Sequence, residues 1–380
     1  MRILKIANII NSRNSGMGRV MHMTADELRE MGHTVDLLFS EDVRRFCRGS
    51  SDRLVFPIAL IGAIRKCLRE RGYYDVVEIH EPSAAWYCQA QHFDKSLPPC
   101  VLMSHGLEEA QWKLHLKLNQ RIERVTSHKS RVLVPLTLLS QARYALKNCH
   151  QVMCLNSYDE KYLHNVLHLP TERVSRVQNG VAPLFFDDQK DILKKEKALL
   201  FVGSWLERKG NQTLVEAFQK LHRSDPNFSL CLMGTGYSKQ EVLASFPNEL
   251  WPSIHVVPHA DDNQLREAYL SHSIFVFPSF FEPWGLVLME AAAAGMAIVT
   301  TCTGGPADLF QDKEDALLVP ALDPAALANA VNTLINDPQL RLQLGKKAQQ
   351  HARQFTWRAA AKTHLCAYKR AIQIAKSEER

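Results

Sequence analysis

A lone carboxylate stands inside an apolar stretch in the second half of the chain. Glu290 follows Leu-Val-Leu-Met and precedes four alanines. A helix of this composition is apolar all round and therefore buried, and a buried carboxylate without donors is costly. We expect Glu290 to have dedicated donors, and the two hydroxyls of a ribose would serve, as they do for the acidic residue of dinucleotide-binding folds. An internal salt bridge to a basic core residue is the alternative.

A second acidic residue lies just before this helix. Seven residues separate Glu282 from Glu290, and the helix is predicted to begin at Trp284 or Gly285. Free backbone N–H groups point outward at a helix start. Donor groups there, around Trp284, Gly285 and Leu286, could hold the hydroxyls of a sugar. Glu282 would then lie beside that sugar, or it would cap the helix.

A glycine turn follows the next predicted strand. Gly304 and Gly305 come after the strand and before Pro306, which suits the first position of a helix. A strand, a glycine turn and a helix start together present N–H groups and a positive dipole end to an anion. The same pair of glycines also occurs in turns that bind nothing.

A basic pair follows the first strand of the second half. Gly203 follows that strand, and Arg208 and Lys209 come five and six residues later, where the next helix is expected to start. Cations are unfavourable at a helix start unless an anion offsets them. We therefore predict a diphosphate between this pair and the glycine turn, with an exposed surface pair as the alternative.

The first half offers a glycine loop and a histidine. Gly16 lies in the loop Ser15–Arg19 after the first predicted strand, and Met21 breaks the dinucleotide Gly-x-Gly-x-x-Gly spacing. His105 ends the predicted strand 101–104, which places it at a carboxyl edge. A structural histidine is the alternative to a functional one.

Short apolar, often β-branched, runs alternate with helical patterns throughout, which predicts parallel sheets. The predicted strands of the first half are 3–10, 34–39, 75–79, 101–104 and 152–155, and those of the second half are 199–202, 229–233, 254–257, 274–277 and 297–301. The chain is therefore expected to be an α/β protein with two Rossmann-like, doubly wound parallel-sheet domains that face a central cleft. The polar segment 182–197 contains the boundary. The predicted divisions are 1–185, 186–356 and a last helix, 357–380, able to pack on either domain.

Composition narrows the class of protein. A chain of 380 residues exceeds the usual single core, and no apolar run approaches the roughly 20 residues that span a bilayer. Nine cysteines lie scattered without a Cys-x-x-Cys pair, which speaks against a disulfide framework or a zinc site. We expect a cytoplasmic protein.

The formal charge of +6 lies entirely in the first half, with 26 Lys and Arg against 20 Asp and Glu in residues 1–190 and 20 against 20 in the remainder. The clusters 44–71 and 113–131 account for much of it. They suit an anionic membrane surface or substrate, with solvated helix faces as the alternative. Nucleic-acid binding is disfavoured, because no module for it is present.

Taken together, these elements resemble glycosyltransferase family 4, a retaining group with the two-Rossmann GT-B architecture, over nearly the whole chain. The likeness rests on the glycine loop Ser15–Arg19, the strand-end His105-Gly106, the Asn-Gly-Val at 179–181, the Glu-x7-Glu pair and the following Gly-Gly. Two departures are Ser204, where many members have Arg, and Pro283, where glycine is commoner.

The resemblance implies roles for named residues. Glu290 would hold the donor ribose, Glu282 would lie by the donor sugar, and Arg208 and Lys209 would neutralise the diphosphate. With His105 as a further catalytic candidate, these form the expected site. The other expected donor-binding positions are Gly16, Gly203, Trp284, Gly285, Leu286, Gly304 and Gly305.

The implied reaction is the transfer of a sugar from a UDP-sugar or GDP-sugar donor to a glycan or lipid-linked acceptor, as in polysaccharide biosynthesis. The chain has no Asp-x-Asp motif, so neither a metal nor another cofactor is expected. Peripheral contact with an anionic membrane at its inner face stays open. A non-catalytic partner subunit, a nucleotide-sugar epimerase and a phosphorylase of the same fold are the alternatives.

Overall fold

The structure, a computed structural model, describes residues 1–13, 15–43, 52–121, 126–186 and 196–378. The chain forms two compact units. Unit 1 comprises Met1–Asn179 and Trp357–Arg380, and unit 2 comprises Gly180–Thr356. Residues 187–195 of the predicted boundary segment, and residues 44–51 and 122–125 of the two basic clusters, lie outside the described ranges.

Two six-stranded sheets, one in each unit, contain only parallel neighbours. The strands are β1 (Arg2–Ile6), β2 (Thr34–Leu38), β3 (Val76–His80), β4 (Cys100–Met103), β5 (Gln151–Cys154), β6 (Val174–Arg176), β7 (Glu196–Val202), β8 (Ser229–Met233), β9 (Ile254–Val257), β10 (His272–Phe277), β11 (Ala297–Thr301) and β12 (Leu317–Val319). Their orders are β2-β1-β3-β4-β5-β6 in unit 1 and β12-β11-β10-β7-β8-β9 in unit 2.

Helices connect the strands. They are α1 (Gly16–Glu30), α2 (Ser40–Val43), α3 (Asp52–Arg71), α4 (Ala85–Phe93), α5 (Glu108–Arg121), α6 (His128–Val134), α7 (Ser140–Asn148), α8 (Ser157–Asn165), α9 (Asn211–Ser224), α10 (Lys239–Leu243), α11 (Asp262–Ser271), α12 (Leu286–Ala293), α13 (Gly305–Leu309), α14 (Pro324–Asn336), α15 (Pro338–Ala352) and α16 (Trp357–Glu378). None of the described helices combines the length and the apolar character that crossing a bilayer requires.

The strands are buried because helices cover both faces of each sheet. Every residue of β3 and of β11 is buried, as expected for central strands of a parallel sheet. The order in unit 2 is that of a classical dinucleotide-binding sheet, in which the chain winds first one way and then the other. The switch point lies between β7 and β10, where ligands of such folds bind beyond the carboxyl ends.

The last helix belongs to unit 1. α16 packs against α1 and along β3, β4 and β5. Its buried face includes Ala360, His364, Ala367 and Tyr368. This face alternates small residues with two polar ones, so the helix lies close to the sheet and brings polar atoms into the core.

The structure confirms the α/β fold with two doubly wound parallel sheets and corrects several details. The first strand ends at Ile6 and not at residue 10, and α1 begins at Gly16 because the Ser15 hydroxyl caps it by accepting from Gly18 N at 3.2 Å. Two strands that the sequence did not predict, β6 and β12, lie at sheet edges. Each has three residues, too few for a periodic pattern to show.

Candidate functional site

Three loops meet at the switch point of unit 2. They follow β7, β10 and β11, which are neighbours in the sheet. Phe280 N donates to the Arg208 carbonyl at 2.9 Å, and Gly305 N donates to the Glu282 carbonyl at 2.7 Å. The Thr301 hydroxyl adds a bond to the Ser279 carbonyl at 2.6 Å. The loop after β10 is therefore fixed on both sides by its neighbours.

This arrangement brings two predicted catalytic residues into contact. Lys209 Nζ donates to the Glu282 carboxylate and forms an ion pair with it. Their side chains are 14% and 13% exposed, so the pair is largely shielded yet still reachable from solvent. Gly285 stands at the N-cap of α12, and the Glu282 carboxylate is engaged with Lys209, which favours a role beside a ligand over helix capping.

A glycine directly after Lys209 sets the position of this pair. Gly210 has φ +77°, and a Cβ there would lie 1.9 Å from the Pro278 carbonyl oxygen. Because only glycine allows this approach, the one-turn 3-10 helix Glu207–Lys209 ends here and α9 begins at Asn211. The prediction that α9 starts at Arg208 and Lys209 is therefore wrong, because both residues precede the helix, which starts at Asn211.

The two members of the basic pair have different surroundings. Arg208 is exposed, and its guanidinium forms no hydrogen bond or ion pair with a described residue, while its carbonyl accepts from Phe280 N and from the Ser279 hydroxyl. Lys209 lies over the ring of Phe277 at 5.1 Å and pairs with Glu282. Lys209 is thus held in place, whereas the guanidinium of Arg208 is exposed beside the three loops.

The glycine turn is required by packing. Gly304 has φ +61°, and a Cβ on it would lie 2.4 Å from the Glu282 carbonyl oxygen. A Cβ on Gly305 would lie 2.6 Å from Cα of Trp284. Gly305 N already donates to the Glu282 carbonyl, so this N–H joins the two loops. The anion contact that the sequence predicts for this turn would therefore have to use other N–H groups.

Glu290 is buried in α12, 4% exposed, as its apolar surroundings predicted. Tyr269 of α11 donates its hydroxyl to Glu290 Oε2 at 2.9 Å. The ring of Tyr269 is itself fully buried and stacks edge-on against Phe185. The predicted dedicated donors thus include a neutral hydroxyl.

The remaining predicted donor-binding residues lie around the same loops, except one. Trp284 is 6% exposed, and its indole nitrogen has no partner among the described residues. Gly285, with φ +94°, ends the loop, and α12 begins at Leu286. Gly203 follows β7 and donates its N–H to the Met233 carbonyl at 2.9 Å. Gly16 lies in unit 1, at the first turn of α1.

His105 also lies in unit 1, two residues after β4, which ends at Met103 and not at the predicted residue 104. It is partly exposed, and its Nε2 meets Nδ1 of His80, at the end of β3, at 3.0 Å. Burial holds the pKa of His105 well below its usual value, and the neighbouring His80 adds to this effect. The ring is therefore neutral near pH 7.

Sequence reasoning missed two acidic residues at the same edge of the unit 1 sheet. Burial raises the pKa of Glu81 to about 8 and that of Asp159 to about 6. Glu81 Oε2 and Asp159 Oδ1 have no hydrogen-bond partner among the described residues. Their positions after β3 and at the start of α8 could have signalled them, because strand ends of parallel sheets collect functional groups.

Within the described ranges, no group of three or more His, Cys, Asp or Glu side chains is arranged to hold a metal ion.

Comparison with known proteins gives the family. The model of Glycosyltransferase Family 4 matches residues 14–183, and that of Glycosyl transferases group 1 matches residues 185–351. D-inositol 3-phosphate glycosyltransferase of Corynebacterium efficiens is 33% identical over 172 residues, 43% of this chain and 41% of that protein. The matches thus span less than half the length of the first curated relatives.

Solved structures share the fold. Sucrose-phosphate synthase of Thermosynechococcus elongatus has a TM-score of 0.80 at 20% identity, over 98% of this chain and all of that one (100%). The Anabaena protein HepE in complex with UDP-glucose has a TM-score of 0.66 at 16% identity, over 100% of this chain and 99% of that one. With two family models that between them match most of its length and a GT-B fold, the chain belongs to glycosyltransferase family 4.

Proposed function

We propose that the chain is a glycosyltransferase that moves a sugar from a nucleoside diphosphate sugar to a carbohydrate acceptor. The observation that carries the proposal is the Lys209–Glu282 pair, held between loops at the switch point of unit 2. Ligands of doubly wound folds bind at that point. A fixed cation beside a carboxylate suits a ligand with both an anionic and a hydroxyl-rich part, which is what a nucleotide sugar offers.

In this proposal Lys209 and Arg208 stabilise the leaving diphosphate. Charge develops on the phosphate oxygen as the glycosidic bond breaks, and a preorganised cation lowers the barrier most where that charge appears. Lys209 is already oriented by Glu282 and Phe277, so little reorganisation is needed. The exposed Arg208 would close on the other side of the diphosphate.

The carboxylates would bind hydroxyls. Glu290 accepts from Tyr269 through one oxygen, and a carboxylate has further lone pairs with which to accept from a ribose. Glu282 would accept from the donor sugar while it keeps its contact with Lys209. Trp284 and Gly285 would line the same sugar.

Retention and metal independence are part of the proposal. The departing phosphate would accept the acceptor's proton on the face from which it leaves, so no side chain need form a covalent bond. The anomeric configuration of the product, read from its NMR coupling constant, tests retention, and inversion would contradict it. Full activity in EDTA is the expected result, and a strict metal requirement would count against the role given to Lys209.

A panel of UDP, GDP and ADP sugars tests the function without knowledge of the acceptor. Slow hydrolysis of one donor, scored by mass spectrometry, is the expected result, with UDP or GDP as the nucleotide; HepE, which shares the fold, binds UDP-glucose. Conversion of the donor to an isomer would indicate an epimerase, and release of sugar phosphate that depends on free phosphate would indicate a phosphorylase. Binding without turnover, with or without candidate acceptors, would indicate a partner subunit.

The acceptor is proposed to be a glycan or lipid-linked glycan, approached from a peripheral position on the inner, anionic face of a membrane. A patch on α6 and the π-helix Pro135–Leu139 after it supports this, because the apolar side chains of Val132, Leu133 and Leu136 are 56%, 45% and 70% exposed beside Lys129 and Arg131. Such a combination favours anionic lipid surfaces.

Liposome sedimentation at low salt tests this contact. We expect wild type to bind vesicles that contain anionic lipid, and Leu133→Ser with Leu136→Ser to release most of it. Phe93→Ser is the matched control, since Phe93 is 79% exposed elsewhere in unit 1. Equal binding of all three proteins, or none by wild type, would contradict the membrane contact.

A further inference from the structure

Glu78 lies at the centre of a buried polar cluster in unit 1. The residues Glu78, Lys5, His364 and Tyr368 are 0% exposed, and His80 is 1% exposed. Glu78 Oε1 faces Lys5 Nζ at 3.3 Å and His80 Nε2 at 2.9 Å. Glu78 Oε2 faces His364 Nδ1 at 3.3 Å and accepts from the Tyr368 hydroxyl. Both carboxylate oxygens are thus surrounded by donors from the protein itself.

These donors keep Glu78 ionised. Burial alone would raise its pKa, but the charge of Lys5 and the hydrogen bonds from His364 and His80 outweigh burial and hold the pKa well below its usual value. An ionised carboxylate accepts hydrogen bonds and donates none. His80 therefore carries its hydrogen on Nε2, where it faces Glu78.

The tautomer of His105 follows from that of His80. Burial lowers the pKa of His80 and holds that of His105 well below its usual value, so both rings are neutral near pH 7. A neutral imidazole has one N–H and one lone pair. Since His80 donates from Nε2, its Nδ1 accepts, and His105 must donate to it from Nε2 across 3.0 Å. The lone pair of His105 is then on Nδ1.

We infer that Glu78 and His80 are positioning residues that fix His105 as its Nε2–H tautomer, so that His105 Nδ1 accepts a hydrogen bond from a ligand hydroxyl. The bond made at one ring nitrogen of a histidine determines what the other can do. No described residue donates to His105 Nδ1, and the ring is partly exposed beyond the carboxyl end of β4. The selected ligand group is a hydroxyl, which every sugar carries, and not a phosphate oxygen. This inference rests on the proposed function.

The last helix completes the cluster. His364 and Tyr368, one turn apart on α16, are separated from Glu78 by 286 and 290 residues. They supply both donors to Glu78 Oε2. Without the side chains of His364 and Tyr368, the carboxylate would lose these two donors, and its hold on His80 would change. α16 thus helps to determine which ring nitrogen of His105 carries the hydrogen.

Nitrogen NMR of isotope-labelled histidine in the full-length protein tests the tautomer. The His105 signals are assigned by their loss in His105→Asn. We expect wild-type His105 to be protonated on Nε2, His80→Leu to show both tautomers, and His80→Gln, whose amide both donates and accepts, to keep the Nε2–H form. A wild-type ring protonated on Nδ1, or an unchanged tautomer in His80→Leu, would overturn the inference.

Two tyrosines provide a matched pair for the role of α16. Tyr368 and Tyr87 are both fully buried in unit 1, but the Tyr87 hydroxyl donates to the Pro98 carbonyl at 2.8 Å and does not contact Glu78. Each substitution by Phe removes one buried hydrogen bond, so similar losses of stability are expected. Only Tyr368→Phe should shift the His105 ring signals. Equal shifts in both variants would contradict transmission through Glu78.

Kinetics separate this inference from the proposed function. In a chain that transfers sugar, His80→Leu should lower kcat/KM by up to about tenfold, the worth of one hydrogen bond, and His80→Gln should restore most of it. Unchanged kcat/KM with a changed tautomer would overturn the role in ligand binding. A wild type that transfers no sugar contradicts the proposed function, whereas the tautomer is read from the protein alone.

Discussion

The candidate site of unit 2 and the Glu78 cluster of unit 1 hold their charges in different ways. Lys209 and Glu282 keep 14% and 13% of their side chains exposed, while Lys5 and Glu78 keep none. Lys209 and Glu282 lie on segments that backbone hydrogen bonds join to each other. Lys5 and Glu78 lie on the adjacent strands β1 and β3. A pair that solvent still reaches can add a contact to a ligand, whereas a fully buried pair would have to separate at a large cost to do so. The pair in unit 2 is thus open to a ligand, and the pair in unit 1 is closed to one.

Glu290 gives the largest expected effect on donor binding on the unit 2 side of this comparison. Glu290→Gln keeps an acceptor for Tyr269 but loses the charge that would hold a ribose, so we expect donor binding to weaken by about tenfold to a hundredfold. Tyr269→Phe, which leaves the carboxylate in place, should weaken it less. Isothermal titration with the donor found in the panel measures both. Equal losses in the two variants would show that Glu290 serves the core and not the ligand.

Gly210 tests whether close packing holds the Lys209–Glu282 pair. Alanine at Gly210 would meet the Pro278 carbonyl at 1.9 Å, whereas Gly236 has a similar φ of +72° with nothing within 4 Å of its Cβ position. We expect Gly236→Ala to lose about 1 kcal/mol of stability from backbone strain, and Gly210→Ala to lose about 1–3 kcal/mol more. Chemical unfolding measures both. Equal losses would show that the approach to Pro278 does not matter.

Glu81 gives an expected effect of pH on stability in unit 1. Its pKa of about 8 in the folded chain lies above that of an unfolded glutamate, so its contribution is fully present below the unfolded pKa of about 4.3 and is lost as pH rises toward 8. The free energy of unfolding of Glu81→Gln should therefore fall less between pH 5 and pH 8 than that of wild type.

Urea unfolding at the two pH values measures this difference, with Glu172→Gln, at an exposed position of unit 1, as the control. If Glu81→Gln and Glu172→Gln follow the same pH profile, Glu81 is not protonated in the folded chain.

The strands of unit 2 were largely predictable from the sequence. Three of them, β8, β9 and β11, have the predicted ends, because each is an apolar run between polar turns. β6 and β12 were missed, since three residues at a sheet edge leave no pattern. The start of α9 was placed too early because the clash that requires Gly210 involves Pro278, which is distant in the sequence.

The site was predictable where a charge stands alone in an apolar run. That reasoning found Glu290, and the same reasoning applied to the strands around Lys5 and Glu78 would have indicated a buried pair, which the register of β1 and β3 places side by side. It could not have found His364 or Tyr368. Their helix joins the sheet of unit 1 only after the whole of unit 2, and nothing local in the sequence marks that contact.

The rate of donor hydrolysis by Lys209→Ala tests the central claim most directly. That claim is that Lys209, held by the loops of unit 2, stabilises a leaving diphosphate. Lys220→Ala, at an exposed position of α9, is the matched control. We expect Lys209→Ala to slow hydrolysis of the preferred nucleotide sugar by about 10²–10³-fold, as loss of one preorganised group at a developing charge does, with Lys220→Ala unchanged. Hydrolysis at the wild-type rate in Lys209→Ala would contradict the account.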